Sequence, residues 1–157
     1  MKYEVSKDIE DHAIDKLLDM VKATHPLCWI RRDDLDSNRG IEGHTCRYDT
    51  MTYPAMPDKL KEYVREIAPR PEGYIISDIV INRYQPGDYI GKHRDRAWYR
   101  MNSVIALQQD GDGIYIDDDE LFIEDIKGQS VTLFGAGPVH SVPAAKALRH
   151  VLIYLYE

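Results

Sequence analysis

The stretch that decides the fold is GYIISDIVINRYQPGDYIGKHRD, residues 73 to 95. Its first half, Gly73 to Tyr84, is crowded with β-branched and aromatic residues, the composition of a strand. Pro86-Gly87 supplies a turn, and Tyr89 to Lys92 resumes an extended run that leads into His93 and Asp95. On extended chain, residues two apart leave the same face, so His93 and Asp95 can meet one ion. Asn82 and Tyr84 share a face of the preceding strand by the same rule. Alone, the His-x-Asp pair proves little. With 6 histidines and 27 acidic residues in 157 positions, about one His-x-Asp/Glu pair is expected by chance.

Downstream, short strand-like runs recur at close intervals: Asn102 to Leu107, Gly113 to Ile116, Glu120 to Glu124, Ser130 to Phe134, Val139 to Val142 and Leu148 to Tyr156. Gly, Pro and Asp separate them, which indicates a sandwich, barrel or jelly roll. Upstream the texture is helical. Residues 7 to 23, KDIEDHAIDKLLDMVKA, place Ile9, Ala13, Leu17, Met20 and Val21 at helical spacing, and His25-Pro26 ends the run. A second helix follows Pro57, with Leu60, Val64 and Ile67 on one face. Residues 26 to 56 show no clear periodicity, although Trp29 to Arg32 and Thr45 to Tyr48 have short-strand character; this segment is expected to form a lid. The expected fold is α+β, mainly β, in a single domain. Residues 1–72 would give two helices, packed on one sheet, and loop support, and residues 73–157 an antiparallel double-sheet core.

Composition narrows the function classes. The formal net charge of -7 argues against a general nucleic-acid binder. A local basic patch is still present in Arg94, Arg96 and Arg100, with Arg31 and Arg32 earlier. No run of 18 apolar residues spans a membrane, and MKYEVSKDIED lacks a secretory stretch, so the cytoplasm is the expected location. Cys28 and Cys46 lack C-x-x-C spacing and read as passive thiols. The acidic run Asp110 to Glu120, DGDGIYIDDDE, fails the calcium-loop template, because Ile114 takes the place of the third ligand. A solvated, charge-blunted hairpin edge is expected there.

The chemistry gathers around partners of His93. GPVHSVP places His140 at the start of another strand, 47 residues on. Two histidines and one carboxylate form the facial triad of non-haem Fe(II) oxygenases, which leaves three coordination positions open. LRHVLIYLYE then opens the most apolar strand of the chain with Arg149, whose fork suits a carboxylate. Asn82 and Tyr84 can hydrogen-bond a second carboxylate, so the group anticipated here is a short dicarboxylate. His150 faces the other side of its strand and is not expected to be a ligand. His12 and His44 read as surface residues, with a substrate contact as the alternative for His44.

The order N-x-Y-x-P-G, H-x-D, a distant H-x-V-x-P, then Arg opening an apolar last strand resembles the Fe(II)/2-oxoglutarate-dependent dioxygenases. The AlkB-like and prolyl-hydroxylase-like branches are the nearest in pattern, over residues 73 to 157. The resemblance implies a double-stranded β-helix (jelly roll) and iron held by His93, Asp95 and His140. It also implies that Arg149 binds the distal carboxylate of 2-oxoglutarate, with Tyr84 assisting and Asn82 at the chelating end. Implied with them are O2, an ascorbate-type reductant, and oxidative decarboxylation of 2-oxoglutarate to succinate and CO2 with hydroxylation of a substrate.

Two departures bear on that substrate. Leu155 stands where AlkB-type repair enzymes carry a second arginine, and Ala97 where they carry an acid. Arg100 resembles an arginine of some prolyl-hydroxylase-like members. The expected substrate is a protein or peptide side chain, or else a nucleobase or nucleotide gripped by Arg94, Arg96, Trp98 and Arg100. A narrow cleft lined by Tyr48 or Trp98 would favour a peptide or small molecule. A non-catalytic β-helix binding module, or a cupin holding another metal, are the readings from other classes.

Overall fold

The computed structural model describes residues 2–35, 45–95 and 98–157, without the side chains of residues 34 and 35. Among them run eleven strands: β1 (Tyr3–Lys7), β2 (Ile30–Leu35), β3 (Thr45–Thr52), β4 (Ile76–Tyr84), β5 (Tyr89–His93), β6 (Met101–Ala106), β7 (Gly113–Ile116), β8 (Leu121–Glu124), β9 (Gln129–Phe134), β10 (His140–Val142) and β11 (Arg149–Tyr156). Two α-helices, α1 (Asp11–Lys22) and α2 (Asp58–Glu66), complete the regular structure. The strands form one curled antiparallel sheet in the order β1-β9-β6-β11-β4-β3-β5-β10-β7-β8, with β2 paired to β3. β3 is the corner. Its Asp49–Thr52 half pairs with β4, while Cys46 and Arg47 pair with β5.

Period-2 alternation explains why this sheet has two different faces. On β11, Val151 and Ile153 point with Arg149 into a central cavity. His150, Leu152, Tyr154 and Tyr156 point the other way and are at most 2% exposed. There they meet Ile14, Leu17 and Val21 of α1 and Leu60 and Val64 of α2, joined by Ile79 and Ile81 of β4. The Tyr154 hydroxyl donates to the Val64 carbonyl and that of Tyr156 to the Pro69 carbonyl at 2.8 Å. These bonds satisfy carbonyls at and just beyond the end of α2 that the helix itself leaves unpaired.

The expected strands and helices are found, within a few residues of their expected limits. The N-terminal part departs from the expectation of helical and loop support, because three of its strands join the sheet. β1 pairs along β9, Tyr3 with Leu133 through Lys7 with Gln129. Its sequence, YEVSK, alternates too briefly and carries too much charge to signal a strand, as suits an edge. β2 and β3 occupy much of the aperiodic segment 26–56, paired from Ile30–Thr50 to Leu35–Thr45. His44 and the lid expectation for residues 36–44 lie outside the described residues.

The acidic run is also not merely solvated. Asp112 is 6% exposed and accepts the backbone N–H groups of Lys146 and Ala147 at 2.8 and 3.2 Å, holding the approach to β11. Asp117 accepts from Ser141, Asp118 from the Val139 N–H and Asp119 from Tyr3. Backbone donors fix the Asp112 and Asp118 carboxylates, and side-chain hydroxyls fix those of Asp117 and Asp119. Gly113 is required where β7 and β8 meet, since a Cβ there would lie 2.1 Å from the Ile123 carbonyl oxygen.

His150 lies on the helix side, with its Nδ1 2.9 Å from Gln108 Oε1 and its ring edge-on to Trp29. Burial, then the nearby Arg83 and Lys22 charges, depress it from 6.5 to about 4. The folded state therefore disfavours protonated His150, and this contribution to stability is complete above pH 6.5 and lost as pH falls towards 4. Denaturant unfolding across that window should show the loss, and His150→Gln should flatten it.

Candidate metal centre and cosubstrate pocket

β5 and β10 are neighbours in register, His140 directly opposite His93, and this pairing brings two distant sequence motifs together. The imidazole centroids stand 4.2 Å apart. Asp95 lies just past the end of β5, its backbone N–H fixed to the Ala136 carbonyl at 3.0 Å. From there Asp95 Oδ1 lies 3.6 Å from His93 Nε2 and 3.4 Å from His140 Nε2. Ligands held at about 2.1 Å on adjacent octahedral positions stand about 3 Å apart. The triad needs only a slight contraction to close on an ion.

The three groups are aimed as well as gathered. His93 Nδ1 is 2.8 Å from the Gly91 carbonyl and His140 Nδ1 2.9 Å from the Pro138 carbonyl. Carbonyls can only accept, so each Nδ1 carries hydrogen, and each Nε2 lone pair is turned to the shared point. Asn102 donates through Nδ2 to Asp95 Oδ2 at 3.0 Å, leaving Oδ1 for the ion. Burial opposes the Asp95 charge, but His140, His93 and Asn102 outweigh it and hold the carboxyl below its ordinary range. Burial likewise opposes a charge on His140, and Asp95 outweighs it and raises the imidazole. Two imidazoles and a carboxylate gathered in this way could hold a metal ion.

Next to the triad is a cavity of about 100 Å³. Both halves of the sheet line it: Ile114 and Val142 from one, Val104, Leu133, Val151 and Ile153 from the other. Arg149, 4% exposed, also lines it, with Tyr84 and Asn82. The guanidinium lies over the Tyr84 ring at 5.1 Å, and Tyr84 in turn packs on Tyr48 at 5.7 Å. Burial, only partly offset by Arg149, pushes the Tyr84 phenol far up, so it stays a neutral donor. Asn82 Oδ1 and Asn102 Oδ1 are buried without a partner among the described residues. Such orphaned acceptors call for a donor, such as a water held in the cavity. Two imidazoles and a carboxylate fit Fe(II), and the buried guanidinium of Arg149 with the Tyr84 hydroxyl fits one end of a short dicarboxylate.

Thus the structure brings together His93, Asp95, His140, Asn82, Tyr84 and Arg149. Among the described residues, Arg94, Trp98 and Arg100 of the basic cluster do not line this cavity. Arg94 is exposed beside Asp118 and Pro138, its Nη1 3.5 Å from the Gly137 carbonyl. Arg100 lies over the Tyr74 ring and donates to the Gly73 carbonyl at 3.0 Å. Trp98 is 70% exposed, and Arg96 lies outside the described residues. Arg31 is consumed by Asp88 at 2.6 and 2.7 Å. Arg32 Nη1 donates to the Tyr48 hydroxyl at 3.0 Å.

Sequence reasoning missed Asn102 and Asp125. Asn102 gave only a weak sign, a polar residue opening an otherwise apolar strand. Asp125 gave none. It accepts two hydrogen bonds from Arg149, from Nε at 2.7 Å and Nη2 at 3.0 Å.

With this geometry the chain resembles known structures along almost its whole length. A 2OG-Fe(II) oxygenase family oxidoreductase from Burkholderia pseudomallei superposes with a TM-score of 0.68 at 16% identity, covering 99% of this chain and 85% of that one. The chain has the fold of the 2OG-Fe(II) oxygenases. The viral collagen prolyl hydroxylase of Paramecium bursaria Chlorella virus 1, in its 2OG complex, matches with a TM-score of 0.61 at 16% identity, over 99% and 96% of the two chains. A Pseudomonas putida prolyl-4-hydroxylase gives a TM-score of 0.61 at 13% identity, over 99% and 92%. No family model matches the sequence, and no curated protein does. In this 2OG-Fe(II) oxygenase fold the triad is the one group of three or more potential metal ligands among the described residues. No helix among them is long and apolar enough to cross a membrane.

Asn102→Ala removes the donor that orients Asp95 without touching a ligand. Titration with Co(II) or Mn(II) should show affinity reduced about 10- to 100-fold, with the unfolding transition still cooperative.

Proposed function

We propose that the protein is an Fe(II)- and 2-oxoglutarate-dependent dioxygenase that hydroxylates a protein or peptide side chain, with release of succinate and CO2. The observation that carries this reading is the shared cavity: a His-Asp-His triad and a buried arginine line the same small, mostly apolar space. His93, Asp95 and His140 would hold iron by three positions and leave three for cosubstrate and O2. Iron bound there supplies the activation of O2, with an ascorbate-type reductant keeping it ferrous. Arg149 binds the distal carboxylate of 2-oxoglutarate, Tyr84 donates to it, and Asn82 orients the chelating end. The aliphatic walls exclude water from the reacting centre.

A peptide substrate is favoured over a nucleobase by what the arginines do. Arg31 is ion-paired, Arg32 is bound to Tyr48, and Arg100 is spread on Tyr74. The net charge of -7 also disfavours a phosphate backbone. Tyr48, in the cavity wall, suits a narrow cleft. A nucleobase or nucleotide substrate remains the second reading, supported by the exposed Arg94 and Trp98, which are close in sequence to His93 and Asp95.

Purified protein given Fe(II), ascorbate, O2 and 2-oxoglutarate should release succinate slowly even without substrate. His93→Ala and His140→Ala should abolish this, and Arg149→Ala should raise the 2-oxoglutarate KM by about 100-fold. Unchanged turnover in His93→Ala would refute the oxygenase reading, and no metal binding or succinate release by the wild type would leave a binding module. Unchanged 2-oxoglutarate demand in Arg149→Ala would point instead to a cupin using another metal.

A further inference from the structure

Arg149 lines the cavity, and an acid outside that lining stands behind it. Arg149 and Asp125 are both nearly buried, at 4% and 7% exposure, and Asp125 binds the Nε–Nη2 edge of the guanidinium from the first residue after β8. The backbone N–H of Asp125 is itself anchored to the Asp112 carbonyl at 2.8 Å. The Asp112 carboxylate fixes Lys146 and Ala147, on the approach to Arg149. Acid and base are thus located by one framework.

A guanidinium carries five N–H donors, and Asp125 takes two, leaving the Nη1–Nη2 edge for a second carboxylate. An arginine this buried needs a resident anion when no ligand is present, because an uncompensated buried charge is strongly destabilising. The same anion repels a carboxylate arriving on the other edge, across a gap with little solvent to screen it.

We infer that Asp125 is a counterion built into the cosubstrate pocket: it keeps Arg149 buried and aligned before the cosubstrate arrives, and it limits how tightly the distal carboxylate is then held. This rests on the reading of Arg149 as the distal-carboxylate ligand. Its consequence concerns turnover. Oxidative decarboxylation removes the carboxylate next to the oxo group and leaves the distal one untouched, so the product dicarboxylate holds to Arg149 by the same contact. A shared guanidinium lets it go more readily. Burial, only partly offset by Arg149, already holds the Asp125 carboxyl above its ordinary range, with Asp112 and Glu124 adding to the rise. The charged and titratable groups facing Asp125 are Arg149, Tyr84, Asp112 and Glu124.

Mn(II)-loaded protein, unable to turn over, is titrated with 2-oxoglutarate, succinate and pyruvate by calorimetry. Asp125→Asn keeps the shape and one acceptor while removing the charge. It should tighten 2-oxoglutarate and succinate by about tenfold or more, and leave pyruvate, which has no distal carboxylate, unchanged. Equal or weaker 2-oxoglutarate binding in Asp125→Asn would overturn the inference and reduce Asp125 to a clamp. Should that variant not fold, Asp125→Ser, which removes the charge and leaves room for water, replaces it in the same three titrations. Tighter 2-oxoglutarate and succinate with unchanged pyruvate supports the inference, and equal or weaker 2-oxoglutarate binding overturns it. If wild-type Mn(II) protein binds no 2-oxoglutarate at all, the proposed function fails and this inference with it.

Discussion

The ladder between β4 and β11, running from Arg149 opposite Tyr84 to Tyr156 opposite Ile76, is the constraint on which the rest depends. It fixes which side chains face the cavity and which face the helices. A slip of one residue would turn Arg149, Val151 and Ile153 towards α1 and α2, and Leu152 and Tyr154 into the cosubstrate pocket. The cost of that exchange is large on both faces. It strands a buried cation among aliphatic side chains and removes three groups from the largest apolar cluster. Register at the core and chemistry at the site are therefore one specification.

The second level of organisation is electrostatic. Asp49, Asp88, Asp112, Asp125 and Arg149 are all less than 9% exposed, and each has a partner of opposite charge or a backbone donor. Arg83 links two of these layers, bonded to Asp49 at 2.9 Å and stacked on Trp29. Such pairs contribute little net stability, because desolvation consumes most of their attraction. What they contribute here is position: each holds a strand end or a functional side chain to a single geometry.

The fold was legible wherever a strand is buried on one face and long enough to alternate. GYIISDIVINRY and LRHVLIYLYE stand out because they are long and rich in β-branched and aromatic residues. YEVSK does not, since an edge strand is specified by the backbone of its neighbour rather than by its own side chains. The residues of the triad and Arg149 stand out in the sequence because their spacing is local, His93 to Asp95, or conforms to a known order, His140 and Arg149, and the structure places all four around one cavity. Their supports do not. Asp125 reaches Arg149 across 24 residues, and Arg31 reaches Asp88 across 57. Nothing in composition or periodicity reports a contact made only by the curl of the sheet. For the same reason the arginines at 31, 32 and 100 read as a patch, when packing divides them among an acid pair, a tyrosine hydroxyl and an aromatic face.

The pairing of β1 with β9 has a consequence for the order of assembly. Residues 3–7 find their partners at residues 129–133, so the first strand of the chain waits on one of the last. Closing so long a loop is slow compared with forming local hairpins, and all-β topologies of this kind fold late and cooperatively. Until β1 docks, β9 presents an open hydrogen-bonding edge beside the apolar interior that later surrounds the metal ligands. During synthesis β1 waits unpaired until residues 129–133 are made, and the interval before it docks leaves both strands open to pairing with another chain.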